Sequence, residues 1–365
     1  MRDWNWSTLR WWLGFGATVW ISAACGSLRA AETKASEPLP AVSLDAAAGA
    51  AADLPRLHSL LVSHRGKLVF EGYYNGARAT RPVNIKSASK SIISALVGIA
   101  IGRGLIQSPR QPIALFFPQL ADLLEGDGTP RKGEITIEDL LSMRAGLETT
   151  SNRNYGRWVR SSNWVRHILS RPFVSLPGTS MEYSTGNTHL LSAILSKVTG
   201  MNTWQFAQES LARPLGFTLA HWPQDPQGVY FGGNDMLLTP RQMVAFGELY
   251  LNRGRANGQQ IIPAEWVYSS LIPRVRSRRE NDRFYGYGWW IRELAGQQTA
   301  YAWGFGGQFV FVVPKLDLVV VTTSATTLED ERRSHRFTVL DLVERFIIAP
   351  IAAAESGTAA VQVYP

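Results

Sequence analysis

The placement of strand-like segments most constrains how this 365-residue chain can fold. Two short β-type runs lie near the start of the folded region, at Ser59–Ser63 and Lys67–Tyr74, with the turn signal His64-Arg65-Gly66 between them. Comparable runs return only late in the chain, at Tyr287–Arg292, Thr299–Trp303, Gln308–Val313 and Leu316–Thr323. We therefore expect an α+β fold in which both chain ends share one antiparallel sheet flanked by helices, while the middle forms a helical lobe.

Helical periodicity fills the interval between the two groups of strands. The segment that starts at Ser87 is expected to end near Gly102-Arg103-Gly104. The other expected helices, including a last amphipathic one after the strands, are Ile137–Met143, Trp158–Leu169, Thr188–Thr199, Thr203–Leu211, Thr239–Asn252, Pro263–Ser270 and Ser334–Ile347.

The first 24 residues have the pattern of an export signal. Arg2 and Arg10 flank the entry to the apolar run 11–21, and the small residues Ser22-Ala23-Ala24 follow it. This run is shorter than the roughly 20 residues that a membrane helix needs. Cys25 could carry a lipid that tethers a lipoprotein to a membrane, but Ser22 occupies a position where such signals normally have a large aliphatic residue. We expect a periplasmic or secreted protein, with lipidation as the alternative.

The composition of the rest of the chain predicts three segments. Residues 25–53 are rich in Ala, Pro and Ser, which predicts a flexible tether. Residues 54–350 are expected to form one folded domain of two lobes, and residues 351–365 a C-terminal tail. The formal charge is +8, but pairs such as Arg278-Arg279 indicate solvated surface and no basic run is interleaved with aromatic residues. No nucleic-acid partner is therefore expected. With one cysteine, the chain has no basis for a disulfide within it, a cysteine metal site or thiol catalysis.

Ser87 and Lys90 stand three residues apart at the opening of the apolar helical run 92–101. On a helix this spacing places both side chains on one face. A neutral lysine amine could then take the serine proton, and the positive end of the helix dipole would stabilise a developing oxyanion. A serine in a first helical turn is also ordinary capping chemistry, so this motif alone leaves a plain helix start open.

Tyr183 lies on a loop that precedes the helix expected near Thr188. From there its phenol could reach Ser87 and share a proton network with Lys90. Taken alone, a packed tyrosine with a capped hydroxyl explains this loop better.

Gly304, Gly306 and Gly307 give three glycines in four positions at the start of a strand. Glycines allow the backbone to approach a ligand closely and leave N–H groups for an oxyanion. A glycine-rich turn or bulge is the simpler explanation of this segment by itself.

In order and approximate spacing, Ser87-x-x-Lys90, Tyr183 on its loop and Gly306-Gly307-Gln308 resemble the three active-site motifs of class C β-lactamases and related serine hydrolases. That family includes esterases, D-alanyl peptidases and 6-aminohexanoate-dimer hydrolases. The similarity runs from about Leu57 to Ile348 and includes the flanking segments Leu140–Leu147, Pro214–Phe217, Thr239–Arg241 and Pro314–Val321. It implies a β-lactamase/transpeptidase-like fold for the folded domain.

The resemblance implies an exported bacterial serine hydrolase that cleaves an ester or amide of a small molecule or short peptide and needs no cofactor. Ser87 would attack the carbonyl, and Lys90 and Tyr183 would share the base role. The backbone N–H groups of Ser87 and Gln308 would form the oxyanion hole. The expected substrate-binding residues, of which the tryptophans could equally belong to the core, are Gly306, Gly307, Phe305, Trp303, Tyr155, Trp158 and Trp164.

Two departures from the family pattern argue against a dedicated β-lactamase. The second β-lactamase motif is Tyr-x-Asn, but Thr185 stands at its third position; Asn187 comes two residues late and fits a helix start. The third motif is Lys-Thr-Gly in β-lactamases and often His-Gly-Gly in relatives, whereas Phe305 supplies no positive charge here. The alternatives are a β-lactamase or D-alanyl-D-alanine carboxypeptidase, and a non-hydrolytic cell-wall peptide or penicillin-binding protein.

Other catalytic schemes lack their motifs. The sequence has no G-x-S-x-G elbow of an α/β-hydrolase, no P-loop and no dinucleotide fingerprint. Its six histidines form no H-E-x-x-H pair, so no metal site is expected.

The third motif predicts that esters are hydrolysed much better than β-lactams. A charge-assisted contact to the carboxylate of an antibiotic contributes about 1.5–3 kcal/mol, so a phenylalanine at position 305 should weaken lactam binding by roughly one to two decades. We expect kcat/KM for p-nitrophenyl butyrate to exceed that for nitrocefin, and Phe305→Lys to narrow the difference. Equal values for the native protein would contradict this specificity argument.

Overall fold

The computed structural model describes residues 41–118, 132–327 and 332–361. The strands of these residues are β1 (Leu57–His64), β2 (Lys67–Tyr73), β3 (Val83–Asn84), β4 (Leu237–Leu238), β5 (Arg255–Ala256), β6 (Gln259–Gln260), β7 (Val275–Arg276), β8 (Phe284–Tyr285), β9 (Trp290–Leu294), β10 (Gln297–Gly304), β11 (Gln308–Val313) and β12 (Leu318–Ser324). Eight of them form one antiparallel sheet in the order β2-β1-β12-β11-β10-β9-β8-β7. Because β1 pairs with β12, the expectation that strands from both ends of the chain share a sheet is confirmed.

Helices cover the sheet and form the central lobe. They are α1 (Ala41–Ala52), α2 (Ser89–Gly102), α3 (Ile137–Leu141), α4 (Tyr155–Val159), α5 (Trp164–Leu169), α6 (Thr185–Thr199), α7 (Thr203–Ala207), α8 (Pro240–Leu251), α9 (Ala264–Ser270), α10 (Arg332–Val343) and α11 (Ala349–Val361). In the lobe, α6 packs against α2, α3, α5 and α7. Among the residues described, no helix combines the length and apolarity required to cross a membrane.

The central strands bury both faces, which is why their sequence is almost continuously apolar. Alternate side chains of β11 and β12 point to opposite sides and join two separate hydrophobic cores. The core against α1 and α10 includes Phe309, Phe311, Leu318 and Val320, and the core that continues into the helical lobe includes Val310, Val312, Val319 and Val321.

Helix α8 covers the lobe-facing side of the central strands. The Thr239 side chain accepts from the N–H of Gln242, and the side-chain oxygen of Gln242 accepts from the N–H of Thr239. Pro240 takes a position where its missing N–H costs nothing. A Cβ at Gly247 would lie 2.5 Å from Val319, so the helix approaches β12 this closely only because that residue is glycine.

The expected boundaries of the folded domain are wrong at both ends. Part of the expected tether, residues 41–52, is the helix α1, whose Leu44, Ala47 and Ala51 are buried against the sheet. Part of the expected tail, up to Val361, is α11. Alanine-rich segments suit a linker by composition, but alanine also has the highest helix propensity, and one small-residue face is enough to pack. The export signal and the tether before residue 41 lie outside the described residues.

The helix predicted at Trp158–Leu169 is also wrong in extent. The structure has two short helices, α4 and α5, separated at residues 160–163. Asn163 caps the second helix by accepting a hydrogen bond from the N–H of Arg166, at 2.8 Å, so the chain restarts there instead of continuing.

Because one face of α1 is buried, glutamate substitutions at two neighbouring alanines should differ sharply in their effect on stability. Ala47 has no exposed surface, whereas Ala46 is exposed on the same helix. Ala47→Glu places an unpaired carboxylate in the core and should lower the free energy of unfolding by at least about 2 kcal/mol. Urea unfolding measures this change, with Ala46→Glu as the matched control. Equal stabilities of the two variants would mean that α1 does not pack on the domain.

Candidate active site

Ser87 lies in a short 3-10 turn, Lys86–Ala88, that leads directly into α2. The N–H groups of a first helical turn have no partners within the helix, so they are available to a ligand beside Ser87. The residue before it, Lys86, adopts a left-handed φ of 51°. Its N–H donates to the side chain of Asn84 at 2.9 Å and its ammonium pairs with Asp235 at 3.0 Å. These two contacts hold a backbone conformation that is uncommon for lysine.

The amine of Lys90 is buried next to the Ser87 hydroxyl. Its Nζ lies 3.0 Å from Ser87 Oγ and donates to the carbonyl of Gly233 at 2.6 Å, and the side chain is only 1% exposed. Burial lowers the pKa of Lys90 to about 7, while the negative charge of Asp235 opposes this change. Near neutral pH a large fraction of this amine is therefore uncharged and can accept a proton from Ser87.

Tyr183 immediately precedes the N-cap of α6 and faces the same centre. Its carbonyl accepts a hydrogen bond from Thr149 at 2.7 Å, its ring stacks on Trp290 with centroids 5.6 Å apart, and the Lys90 amine lies 5.1 Å from the ring centroid. Burial raises the pKa of Tyr183 to about 12, although the Ser87 hydroxyl and the charge of Arg283 act in the opposite direction. The phenol therefore keeps its proton near neutral pH, when Lys90 is already partly neutral.

The glycine segment brings a sheet edge against the turn that carries Ser87. A Cβ at Gly304 would lie 2.0 Å from the carbonyl oxygen of Ile85, so no larger residue permits this approach. Gly306 and Gly307 have φ angles of 91° and 111° in the region that favours glycine. The Gln308 amide bonds the backbone of Ser324 in β12 at 2.7 and 3.2 Å, which leaves only the main chain of Gln308 as a candidate oxyanion donor.

The structure thus brings together the three segments singled out in the sequence, whereas two of the proposed pocket residues lie elsewhere. Trp158 has no exposed surface and packs against Trp164, His189 and Phe231, so assigning it to substrate binding is wrong. Trp164 is 7% exposed and belongs to the same aromatic core. A core position satisfies the large apolar ring of each tryptophan, as the alternative interpretation allowed.

The remaining expected binding residues lie nearer the centre. Tyr155 is half-buried, and its hydroxyl accepts a hydrogen bond from Asn234, the residue after Gly233, at 3.2 Å. Trp303 lines a cavity of about 260 Å³ together with Tyr183. Phe305, next to the glycines, is 37% exposed.

Sequence reasoning missed the loop that holds Lys90. A Cβ at Gly232 or Gly233 would lie 2.1 or 2.2 Å from atoms of Thr188 in α6, so this loop packs directly on the helix. The next residues supply Asp235, which also accepts from Asn84 at 2.8 Å. The sequence Phe-Gly-Gly-Asn-Asp at 231–235 was the available signal, but nothing in its spacing connects it to Ser87. In the described ranges, no three His, Cys, Asp or Glu side chains are grouped as a metal site.

A protein-family model described as Beta-lactamase matches residues 45–344. This match spans most of the chain and contains every group of the site described above. The chain belongs to the Beta-lactamase family. Within this family it is a serine hydrolase, as the sequence analysis expected.

Individual relatives of this Beta-lactamase family member are distant. A 6-aminohexanoate-dimer hydrolase of Paenarthrobacter ureafaciens is 26% identical over 334 residues, which cover 81% of each protein. EstCE1, a hydrolase with promiscuous acyltransferase activity, has a TM-score of 0.65 and 19% identity over 83% of this chain and 98% of its own. The octameric penicillin-binding protein homologue from Pyrococcus abyssi has a TM-score of 0.61 and 16% identity, over 83% of this chain and 76% of its own. These structures confirm the expected fold.

The charge of Asp235 predicts a pH effect. Because this carboxylate raises the pKa of Lys90, Asp235→Asn should lower that pKa. The neutral amine is then present at lower pH, so the acid limb of kcat/KM for a p-nitrophenyl ester should move to lower pH. A pH–rate profile measures the shift, with Asp45→Asn on the exposed face of α1 as the control. A limb that stays in place or moves to higher pH would argue against Lys90 as the titrating group.

Proposed function

We propose that this protein hydrolyses an ester or amide through an acyl-enzyme on Ser87. The observation that carries the proposal is the buried Lys90 amine, 3.0 Å from Ser87 Oγ, with a pKa of about 7. A lysine in this state is a base at the operating pH, and the serine hydroxyl is its nearest proton source.

Acylation follows from the protonation states of the site. The neutral amine of Lys90 takes the proton of Ser87 as Oγ forms a bond to the carbonyl carbon. The backbone N–H groups of Ser87 and Gln308 receive the oxyanion. When the intermediate collapses, the bond to the leaving group breaks and the leaving atom takes the phenol proton of Tyr183. The ammonium of Lys90 then returns a proton to Tyr183, so the amine is neutral again.

Deacylation repeats these roles with water as the nucleophile. Lys90 accepts a proton from water as the water oxygen attacks the acyl carbonyl. When the intermediate collapses, the released Oγ of Ser87 takes the phenol proton of Tyr183, and the ammonium of Lys90 returns a proton to Tyr183. Tyr183, whose ring centroid lies 5.1 Å from the Lys90 amine, serves as the proton relay in both halves. These roles follow from burial, which raises the pKa of the Tyr183 phenol to about 12 and lowers that of the Lys90 amine to about 7.

Two kinds of support favour hydrolysis of esters or linear amides over β-lactams. The relatives include proteins named as a 6-aminohexanoate-dimer hydrolase and as a hydrolase with acyltransferase activity. In this chain, Thr185 and Phe305 replace the amide and cation with which the β-lactamase motif holds an antibiotic. Neither replacement alters the Ser87–Lys90 contact.

Covalent labelling tests the nucleophile. A fluorophosphonate probe should add one mass equivalent at Ser87, and Ser87→Ala should lose labelling and at least about a thousandfold in kcat for p-nitrophenyl butyrate. Ser94→Ala is the matched control, because this buried serine of α2 has a hydroxyl without a partner among the described residues. Labelling that persists in Ser87→Ala would overturn the assignment. A single stoichiometric burst without steady turnover would indicate a binding protein.

A further inference from the structure

Arginine side chains dominate the charge of the 260 Å³ cavity beside Tyr183. Four of them, Arg278, Arg279, Arg283 and Arg336, line it together with one carboxylate, that of Glu182. The sequence predicts solvated surface for the Arg278-Arg279 pair, and both residues are exposed, at the mouth of this cavity.

Three of these arginines are held by carboxylates within the protein. Arg283 and Arg336 each lie 3.1 Å from the same oxygen, Oε1 of Glu280, and Arg278 lies 2.9 Å from Glu182. Arg283 is only 3% exposed. Because Glu280 also pairs with Arg292 at 3.6 Å, one carboxylate serves three guanidinium groups.

The cavity wall also stacks arginines on aromatic rings. The Arg283 guanidinium lies 4.2 Å from the ring centroid of Trp290, and that of Arg336 lies 4.8 Å from the centroid of Trp303. Trp290 in turn stacks on Tyr183. The same wall therefore connects the arginine cluster to the catalytic centre through a contact between two rings.

Two arginines of this wall are incompletely paired among the described residues. The exposed Arg279 has no carboxylate within ion-pair distance, and the buried Nε–H of Arg283 makes no hydrogen bond. Buried donors are almost always satisfied in folded proteins. Together with the excess of arginines over carboxylates in the lining, the unpartnered Nε–H of Arg283 favours an anionic ligand in this cavity. A guanidinium group matches a carboxylate through two parallel hydrogen bonds.

We propose that this cavity binds a carboxylate of the substrate, with Arg279 as the residue that contacts it. The substrate class is then an ester or amide with a free carboxylate on the arm that extends past Tyr183, either on the acyl part or on the leaving group. This inference rests on the proposed function, since it assumes that the reacting carbonyl lies at Ser87. It assigns the contact with the anion to the arginine cluster instead of residue 305, where phenylalanine supplies no charge.

Two matched pairs of compounds test this proposal. On the acyl side, mono-p-nitrophenyl adipate is compared with p-nitrophenyl hexanoate; on the leaving side, p-butyryloxybenzoate is compared with p-butyryloxybenzamide. One pair should show a charged-to-neutral ratio of kcat/KM of about ten, and Arg279→Gln should abolish that preference. Arg276→Gln removes the same charge at an exposed position of β7 outside the cavity and should keep the native ratio. Ratios near one for both pairs in the native protein would overturn the proposal.

A binding measurement separates this inference from the proposed function. Calorimetric titration of Ser87→Ala with the same four compounds should show the charged member of the selected pair binding about tenfold more tightly, and Arg279→Gln in that background should remove the difference. If the native protein binds the charged compound selectively but hydrolyses none of the four, the proposed hydrolysis is contradicted and the carboxylate site is not. If charged and neutral compounds bind equally in both pairs, or if the preference for the charged compound survives Arg279→Gln, the carboxylate site is contradicted and the proposed hydrolysis is not.

Discussion

The burial of one lysine amine is the constraint on which the rest of this site depends. An ammonium ion transferred out of water loses several kcal/mol of hydration, so a buried lysine is easier to keep neutral than charged. Among the residues that the structure describes, the amine of Lys90 has only the Gly233 carbonyl and the Ser87 hydroxyl as hydrogen-bond partners. The charge of Asp235 partly compensates for the burial of this amine. The packing that buries the amine is therefore also what makes it a base.

That burial in turn requires close approaches that only small residues allow. The loop with Gly232 and Gly233 lies directly on α6, and Gly304 lets the end of β10 touch the turn before Ser87. A Cβ at Gly232 or Gly304 would lie 2.1 or 2.0 Å from a backbone carbonyl oxygen, so a larger residue at either position would force the two elements apart. The site is consequently assembled from segments far apart in the chain, and its precision comes from contacts between backbones.

Tyr183 shows how the same burial gives neighbouring groups different roles. Exclusion from water lowers the pKa of an amine and raises that of a phenol, because each group then favours its uncharged form. The two pKa values, about 7 and about 12, therefore separate in a single environment. Burial therefore makes Lys90 a base and Tyr183 a proton donor, and the proposed mechanism assigns no role to a histidine or a metal ion.

Much of the fold was predictable because its signals are local. The apolar runs of β11 and β12 and the helical spacing of Ser87 and Lys90 each reflect a short stretch of chain, and the resemblance to known motifs placed them in one fold. The helix α1 was missed because alanine-rich composition suits both a linker and a helix. Asp235 and Arg279 were missed because their roles depend on what the folded chain brings beside them, and Trp158 was assigned to a pocket because aromatic residues suit cores and ligand sites equally well.

The central claim, that Lys90 is neutral near physiological pH, can be measured directly. The chain has seven lysines, and a protein labelled with carbon-13 at lysine Cε gives a separate titration curve for each resolved resonance. The structure predicts one resonance with a pKa of about 7 that is absent from Lys90→Arg. A Lys90 resonance that titrates near the ordinary lysine pKa of about 10.4 would contradict the account.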